Sequence, residues 1–313
     1  MPFLPIKSFC RLLLTLGLLA TTLWSNAVIA AEKINVVASF SILGDLTQRI
    51  GGERIQVHTL VGRNADAHVY QPTPADARTI AQARLVIVNG FGFEGWIDRL
   101  IKSSGYRGQV LTASNGIKVL RRPRAANQPE HDGAIDPHAW QDLANVLVFV
   151  DNISQELSKT DPDGKSVYLA NAAKYKQEIN ALDLEIRKAF DSIPEDRRKV
   201  VTSHDAFGYF GRAYRISFIA PIGVNTDGEP SAADVGRIIK QIRREKIPAM
   251  FMENFSDSRL LERIRQESGA RIGGTLFSDS LSNSNGPAAT YLEMMRHNAK
   301  VLETALLKPE RQN

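Results

Sequence analysis

The sequence predicts an α/β protein of two lobes, each with a mainly parallel sheet flanked by helices, joined by one long rigid helix. Three observations predict it. Tyr168, Ala172, Tyr175, Ile179, Leu182, Ile186 and Ala189 recur in alternating steps of four and three, which is one continuous face of a helix over residues 166–192. Asp163-Gly164 and Ile193-Pro194 punctuate its two ends, proline disfavouring helix in the residue before it. Short apolar segments alternate with amphipathic ones on both sides of that helix, and uniformly apolar strands in such alternation indicate parallel sheets covered by helices. The four-three pattern also suits half of a coiled coil, but it lasts under four heptads. A strut of about 40 Å between two lobes is the better reading.

In order, residues 34–38 read as a buried strand and 42–50 as a helix stopped by Gly51-Gly52. Ile55–Val61 is the next strand, and a loop leads to a helix at 73–83 with Pro74 in a tolerated early position. Strand Leu85–Val88, helix 95–103, strand Gln109–Thr112, a polar aperiodic loop at 123–134 and helix 140–157 complete the first lobe. After the strut come strand 200–202, helix 206–214, strand 216–219, helix Ala232–Glu245, strand 249–252, helix 260–269, strand 271–275 and a closing helix over 287–307. The lobes share this plan without a close sequence repeat. The expected division is 1–30 export signal, 31–160 first lobe, 161–194 linking helix and 195–313 second lobe.

Residues 1–30 carry Lys7 and Arg11, an apolar run from Leu12 to Leu23, and Val28-Ile29-Ala30 before Ala31. A basic start, a short apolar segment and small residues at the exit form a secretory signal peptide cleaved after Ala30 or Ala31. The run is short for a membrane span, which needs about 20 apolar residues. Cys10, the one cysteine, precedes the apolar run, so it leaves with the peptide and is not the lipidated cysteine of a lipoprotein signal. A soluble periplasmic protein is expected. Removing Lys7 and Arg11 lowers the formal charge from +5 to +3, and the remaining basic residues are dispersed among acids. Nucleic-acid binding would show a basic stripe with aromatic interleaving, so no nucleic-acid partner is expected.

The chemistry lies in loops that follow strands, where open α/β sheets bind ligands. His68 sits in Asp66-Ala67-His68-Val69-Tyr70-Gln71-Pro72-Thr73-Pro74-Ala75-Asp76, and His138 in Asp136-Pro137-His138-Ala139-Trp140. His204 sits in Ser203-His204-Asp205-Ala206-Phe207 and Asp279 in Leu276-Phe277-Ser278-Asp279-Ser280. Two groups from each lobe would place a site in the cleft, and imidazole with carboxylate suits four-coordinate Zn²⁺. Spacing alone leaves the matter open, because no HxxxH or HExxH pair is present and lone loop histidines and aspartates are commonly surface or turn residues. His58 falls within a strand and His297 within the last helix, both structural positions. His131 is surface or a weak metal-capturing arm.

Taken together, His-x-Tyr-x-Pro-Thr-Pro-x-Asp at 68–76, Asp-Pro-His-x-Trp at 136–140, Ser-His-Asp-Ala-Phe-Gly-Tyr-Phe at 203–210 and the Asp279 loop resemble the zinc/manganese solute-binding proteins of ABC importers, the cluster A-I type. The resemblance covers the whole mature chain. It implies two lobes tied by a long helix, a metal ion in the cleft held by His68, His138, His204 and Asp279, delivery to an ABC-transporter membrane permease, and no enzymatic activity. A monomer is expected. Manganese binders of the family tend to carry glutamate where this chain has His204. Three neutral imidazoles and one carboxylate give a +1 site with Zn²⁺, so zinc is the expected cargo and Mn²⁺ the alternative. Many zinc members carry a long histidine-rich loop before Asp-Pro-His; here the loop is short, which suggests a separate periplasmic metallochaperone. Asp136, Asp205 and Glu253 are candidates by position for orienting the imidazoles. With a stiff linking helix, ligand binding is expected to order loops locally rather than close a hinge.

Three rival readings remain at this point. A zinc hydrolase needs an open coordination position and a general base, and a fourth ligand at Asp279 closes that position. A receptor for an organic metal chelate shares the strut design. A surface adhesin would need the lipid-anchor cysteine.

Overall fold

The computed structural model describes residues 33–121 and 135–307. The signal-peptide reading, Cys10 and the whole 123–134 loop with His131 lie outside the described residues. Four parallel strands build the first sheet: β1 (Ile34–Phe40), β2 (Ile55–Val61), β3 (Leu85–Val88) and β4 (Gln109–Thr112), in the order β2-β1-β3-β4. The second sheet repeats that order with β5 (Lys199–Val201), β6 (Ser217–Ile219), β7 (Ala249–Glu253) and β8 (Arg271–Leu276), arranged β6-β5-β7-β8 and again all parallel. The helices are α1 (Ser41–Gly51), α2 (Pro74–Ala81), α3 (Ile97–Ser104), α4 (Leu143–Thr160), α5 (Lys165–Asp191), α6 (Gly208–Tyr214), α7 (Ala232–Glu245), α8 (Ser258–Ser268) and α9 (Tyr291–Leu307).

The 27-residue α5 buries Tyr168, Ala172, Tyr175, Ile179, Leu182, Ile186 and Phe190. The face thus ends on Phe190 rather than on Ala189, which is half-buried, because the larger ring packs edge-on against Phe210 and Tyr214 at centroid distances of 5.8 Å. The helix lies against α1 and α4 of the first lobe and against α9. One apolar core runs without a break from β1 and β3 through α5 to Phe251, Leu276 and α9, while a smaller cluster lies beneath α7 and α8. Polar ties add to it. Leu281 N donates to Ser41 Oγ (3.0 Å), Tyr291 N to Asp45 Oδ2 (2.9 Å) and Leu120 N to Tyr209 Oη (2.9 Å). Close-packed interiors resist continuous deformation, so sliding these lobes apart would open that shared core.

Several helices start later than periodicity predicts, each for a local reason. Thr73 caps α2, its hydroxyl accepting from Asp76 N while Asp76 accepts from Thr73 N, a reciprocal capping box. Thr290 and Glu293 make the same exchange at the start of α9, so the closing helix begins at Tyr291 rather than at Pro287. Residues 139–141 form a separate short turn, and α4 starts after Asp142, whose carboxylate accepts from Ala144 N. Ala206 belongs to the His204 turn, its N–H donating to His204 O (3.0 Å), so α6 waits until Gly208. Among the described residues no helix is long and apolar enough to cross a membrane.

Candidate metal centre

All four singled-out side chains follow strand carboxyl ends, and each is held by its own loop. After β2, Asp66 Oδ1 accepts from His68 N (2.9 Å), and Trp96 Nε1 donates to Ala67 O (2.8 Å). The remaining polar residues of that run converge on Asp76 Oδ2, which accepts from Tyr70 Oη (2.9 Å), Thr73 N (2.7 Å) and Thr73 Oγ1 (2.8 Å). After β4, Asp136 Oδ1 accepts from His138 N (3.0 Å) and lies 2.8 Å from His138 Nδ1. Asn89 Nδ2 donates to Pro137 O (3.0 Å) and steadies the same turn. After β5, His204 N donates to Glu253 Oε1 (2.9 Å), and its Nδ1 stands 2.7 Å from Glu253 Oε2. After β8, the Asn298 amide clamps Phe277, accepting from its N–H (2.9 Å) and donating to its carbonyl (2.7 Å), two residues before Asp279.

Ser278 joins the two halves. Its carbonyl accepts from Trp140 Nε1 (2.8 Å) and Gln141 Nε2 (2.7 Å) of the first lobe. Its hydroxyl donates to Glu253 Oε2 (2.5 Å), the carboxylate beside His204. The loops of His138, His204 and Asp279 therefore share one hydrogen-bonded frame.

Inside that frame the ligand-capable atoms of His68, His138, His204 and Asp279 all lie within 4.8 Å of one another. His68 Nε2 is 3.3 Å from His138 Nε2 and 3.3 Å from Asp279 Oδ2; His204 Nε2 is 3.1 Å from Asp279 Oδ2, and His138 Nε2 is 3.6 Å from Asp279 Oδ1. A tetrahedron with bonds of about 2.0–2.1 Å has edges of about 3.3 Å. Asp136 and Glu253 face the Nδ1 atoms of His138 and His204, which favours N–H there and turns the Nε2 lone pairs of the neutral rings inward. The rings of His138 and His204 and the carboxylate of Asp279 are wholly buried, yet both ring nitrogens of His204 and both Asp279 oxygens lack an aligned hydrogen-bond partner, the Glu253 carboxylate standing close to Nδ1 without alignment. Such buried orphans are rare unless a ligand uses them. Phe93, 4.7 Å from His68 and 5.9 Å from His138 between centroids, walls the cluster, with Trp140 at 5.3 Å from His138.

Burial alone would lower the His204 pKa, but the carboxylates of Glu253 and Asp279 outweigh it and hold the imidazole well above its ordinary value. Burial would likewise raise Asp279, yet His204 and His138 keep it well below the usual carboxylate range. Both shifts have one cause, the closeness of the His204 ring to the carboxylates of Asp279 and Glu253. For His204, whose folded value exceeds its unfolded value of about 6.5, the stabilisation is complete below that pH and is lost as pH rises through the folded value. For Asp279 it is complete above about 3.9 and is lost as pH falls through its depressed folded value. The metal-free protein should accordingly lose thermal stability on titration from neutral to alkaline pH, measurable by calorimetry.

Two of the three carboxylates expected by position, Asp136 and Glu253, stand against ring nitrogens; the Asp205 backbone N–H donates to Gly223 O (3.2 Å). His58 is exposed on β2, His297 Nε2 lies 3.0 Å from Thr275 O, and neither belongs to the cluster. Sequence reasoning missed Phe93, Glu94 and Ser278. The available signal was the glycine-rich Asn89-Gly90-Phe91-Gly92-Phe93-Glu94 directly after β3. Gly90 has φ +94°, and a Cβ there would press on the side chains of Thr112 and Ser114. That turn returns Glu94 to the interior, where it accepts from Ser39 Oγ (2.5 Å) and Asn89 N (2.6 Å) and fixes its neighbour Phe93. Exchanging Glu253 for glutamine removes the charge that orients His204 and should weaken metal binding by about 10–100-fold, the usual effect of losing such a partner; competition against a chelator of known affinity checks it.

Two like-ordered parallel-sheet lobes on one long helix, with a group of metal-capable side chains between the strand ends, define a solute-binding protein of the rigid-strut class. Comparison with known proteins agrees: the family described as zinc-uptake complex component A, periplasmic, matches residues 36–305, and the chain belongs to that family of ABC-transporter substrate-binding proteins, which bind metal ions and are not enzymes. The chain is 30% identical to the metal ABC transporter substrate-binding lipoprotein SsaB of Streptococcus sanguinis, over 95% of this chain and 97% of that protein. It is 33% identical to the manganese-binding lipoprotein MntA of Halalkalibacterium halodurans, over 88% and 89%. Among solved structures, the periplasmic zinc binding protein TroA from Treponema pallidum superposes with TM-score 0.82 at 29% identity, covering 88% of this chain and all of that one. A manganese-bound periplasmic metal binding protein from Candidatus Liberibacter asiaticus superposes with TM-score 0.78 at 30% identity and the same coverage. The hydrolase reading gives way to this membership.

Proposed function

We propose that the protein captures Zn²⁺ outside the cytoplasmic membrane, holds it with His68, His138, His204 and Asp279, and hands it to the permease of an ABC importer. The observation that carries the reading is the closeness of the four inward-facing groups, all within 4.8 Å of one another with four of the pairs at 3.1–3.6 Å, near the edge length of a tetrahedral zinc site. Three imidazoles favour zinc, whereas manganese prefers carboxylate, carbonyl and water oxygens. The family description supports zinc, while the names of several relatives support manganese; a site serving both ions is the second reading. A cluster this tight and buried fits a bare ion and leaves no room for an organic chelate. The export segment at residues 1–30 supports a periplasmic location, and the protein acts as a monomer. A metallochaperone that loads it is part of this proposal, and failure of candidate donors to transfer zinc would remove that part.

Capture exchanges hydration water for protein ligands, and at neutral pH it must also displace the His204 proton. Zinc affinity should therefore fall about tenfold per pH unit as pH is lowered across the range where metal-free His204 is protonated. Calorimetric titration in two buffers of different ionisation enthalpy should show about one proton released per ion; no buffer dependence at pH 7 would contradict the protonated state. Zinc-edge X-ray absorption of the loaded protein tests the ligand set, with three nitrogens and one oxygen expected at about 2.0–2.1 Å. A sulfur shell, or a shell dominated by oxygen, would overturn it.

A further inference from the structure

Of the four grouped residues, His68 is the one not fully buried, although its ring is only 2% exposed; His138, His204 and Asp279 are wholly enclosed. The His68 side is therefore the least enclosed, and the loop after β2 is the one whose movement opens the cluster most directly. That loop is stitched to the second lobe. Arg63 Nη1 donates to Ser282 O (2.7 Å) and Ala289 O (2.8 Å), Asn64 N donates to Leu281 O (3.0 Å), and Asn254 Nδ2 donates to Asn64 Oδ1 (3.0 Å). These ties hold the beginning of the loop, several residues short of the histidine.

The tie nearest His68 is of another kind. Asp66 uses Oδ1 to accept from His68 N and Oδ2 to accept from Thr226 Oγ1 (2.7 Å). Thr226 is half-buried in the segment between β6 and α7, so one carboxylate fixes the histidine backbone and is itself fixed from the opposite lobe. We propose that Thr226 is a positioning residue that latches the His68 loop through Asp66 and so sets the rate at which a bound metal ion escapes. The proposal rests on the reading of the four groups as the metal site. Thr226 itself offers no ligand atom to that cluster. Its effect acts through the loop, which must break the Thr226–Asp66 bond before His68 can swing outward. Because the latch does not alter the four ligands, it acts on escape more than on capture, in line with the general rule that related sites differ mostly in dissociation rate.

The test is a stopped-flow experiment. Zinc-loaded mature protein is mixed with excess chelator and the release rate is followed for the wild type, Thr226→Val and Thr226→Ser. Valine keeps the shape and removes the hydroxyl; serine restores it. Thr226→Val should release zinc about tenfold faster, as expected for losing one charge-assisted hydrogen bond, with the circular dichroism of the metal-free protein unchanged and Thr226→Ser within about twofold of wild type. In an Asp66→Ala background, Thr226→Val should add nothing further. Release from Thr226→Val at the wild-type rate, or the same acceleration with and without Asp66, overturns the latch while leaving the metal site standing. A wild type that retains no zinc overturns the site reading, and the latch with it.

Discussion

Replacing Asp279 by asparagine should lower zinc affinity by more than about 100-fold, beyond the range usual for loss of an outer partner. Asparagine keeps the volume, and the Asn298 clamp on Phe277 and the cross-lobe bonds to Ser278 O involve neither Asp279 oxygen, so the loop should hold its shape. What disappears is the single negative charge within the cluster. Three imidazoles would then face a dication in a buried place with no ligand of opposite charge, and the uncompensated charge is costly there. The variant also separates two electrostatic effects. Asp279 is one of the two carboxylates that raise the His204 pKa, so metal-free Asp279→Asn should hold that proton less firmly and release less of it on binding at neutral pH. Competitive titration against a chelator reads the first effect and buffer-dependent calorimetry the second. An affinity within threefold of wild type would remove Asp279 from the ligand set.

The second large effect is expected at His204. Alanine there removes a ring nitrogen from the cluster and leaves two imidazoles and a carboxylate, an open three-ligand site. Zinc affinity should again fall by more than about 100-fold. The fold should survive, because Glu253 keeps two of its partners, the residue 204 backbone N–H and the Ser278 hydroxyl. Retained near-ultraviolet circular dichroism with lost binding is the expected pair of results. Unchanged affinity would place His204 outside the inner ligands.

Much of this was legible in the sequence because it is local. Uniformly apolar strands announced the parallel sheets, and β2, β3, β4 and α7 fall at their expected bounds. The four cluster residues stood out as loop residues following strands, but that reading stayed open until the motifs at 68–76, 136–140 and 203–210 and the Asp279 loop were taken together as a family resemblance. The unread parts depend on tertiary register. Glu253 was a candidate by position only; that it, and not Asp205, stands beside His204 Nδ1 follows from the pairing of β7 with β5 and β8. Ser278 has no signature of its own; its role comes from Trp140 and Gln141 reaching across from the other lobe. Phe190 replaced Ala189 at the end of the α5 face because its ring meets Phe210 and Tyr214, both distant in sequence.

The shared core also bears on how the protein responds to its cargo. An apolar interior that runs from β1 through α5 to α9 ties both lobes to the strut, so opening the cleft by hinge rotation would disturb that shared core. Loop motion at His68 disturbs far less of it. Release by local rearrangement is the reading we propose.

A high-affinity zinc site at the four-group cluster is read out by one equilibrium measurement. Chelator-stripped mature protein is titrated with Zn²⁺ in the presence and absence of a large excess of Mn²⁺, and metal content is read by native mass spectrometry. One tightly held Zn²⁺ per chain that excess Mn²⁺ does not displace is the predicted result. Tight Mn²⁺ with readily displaced Zn²⁺, or no tight binding of either ion, would contradict it.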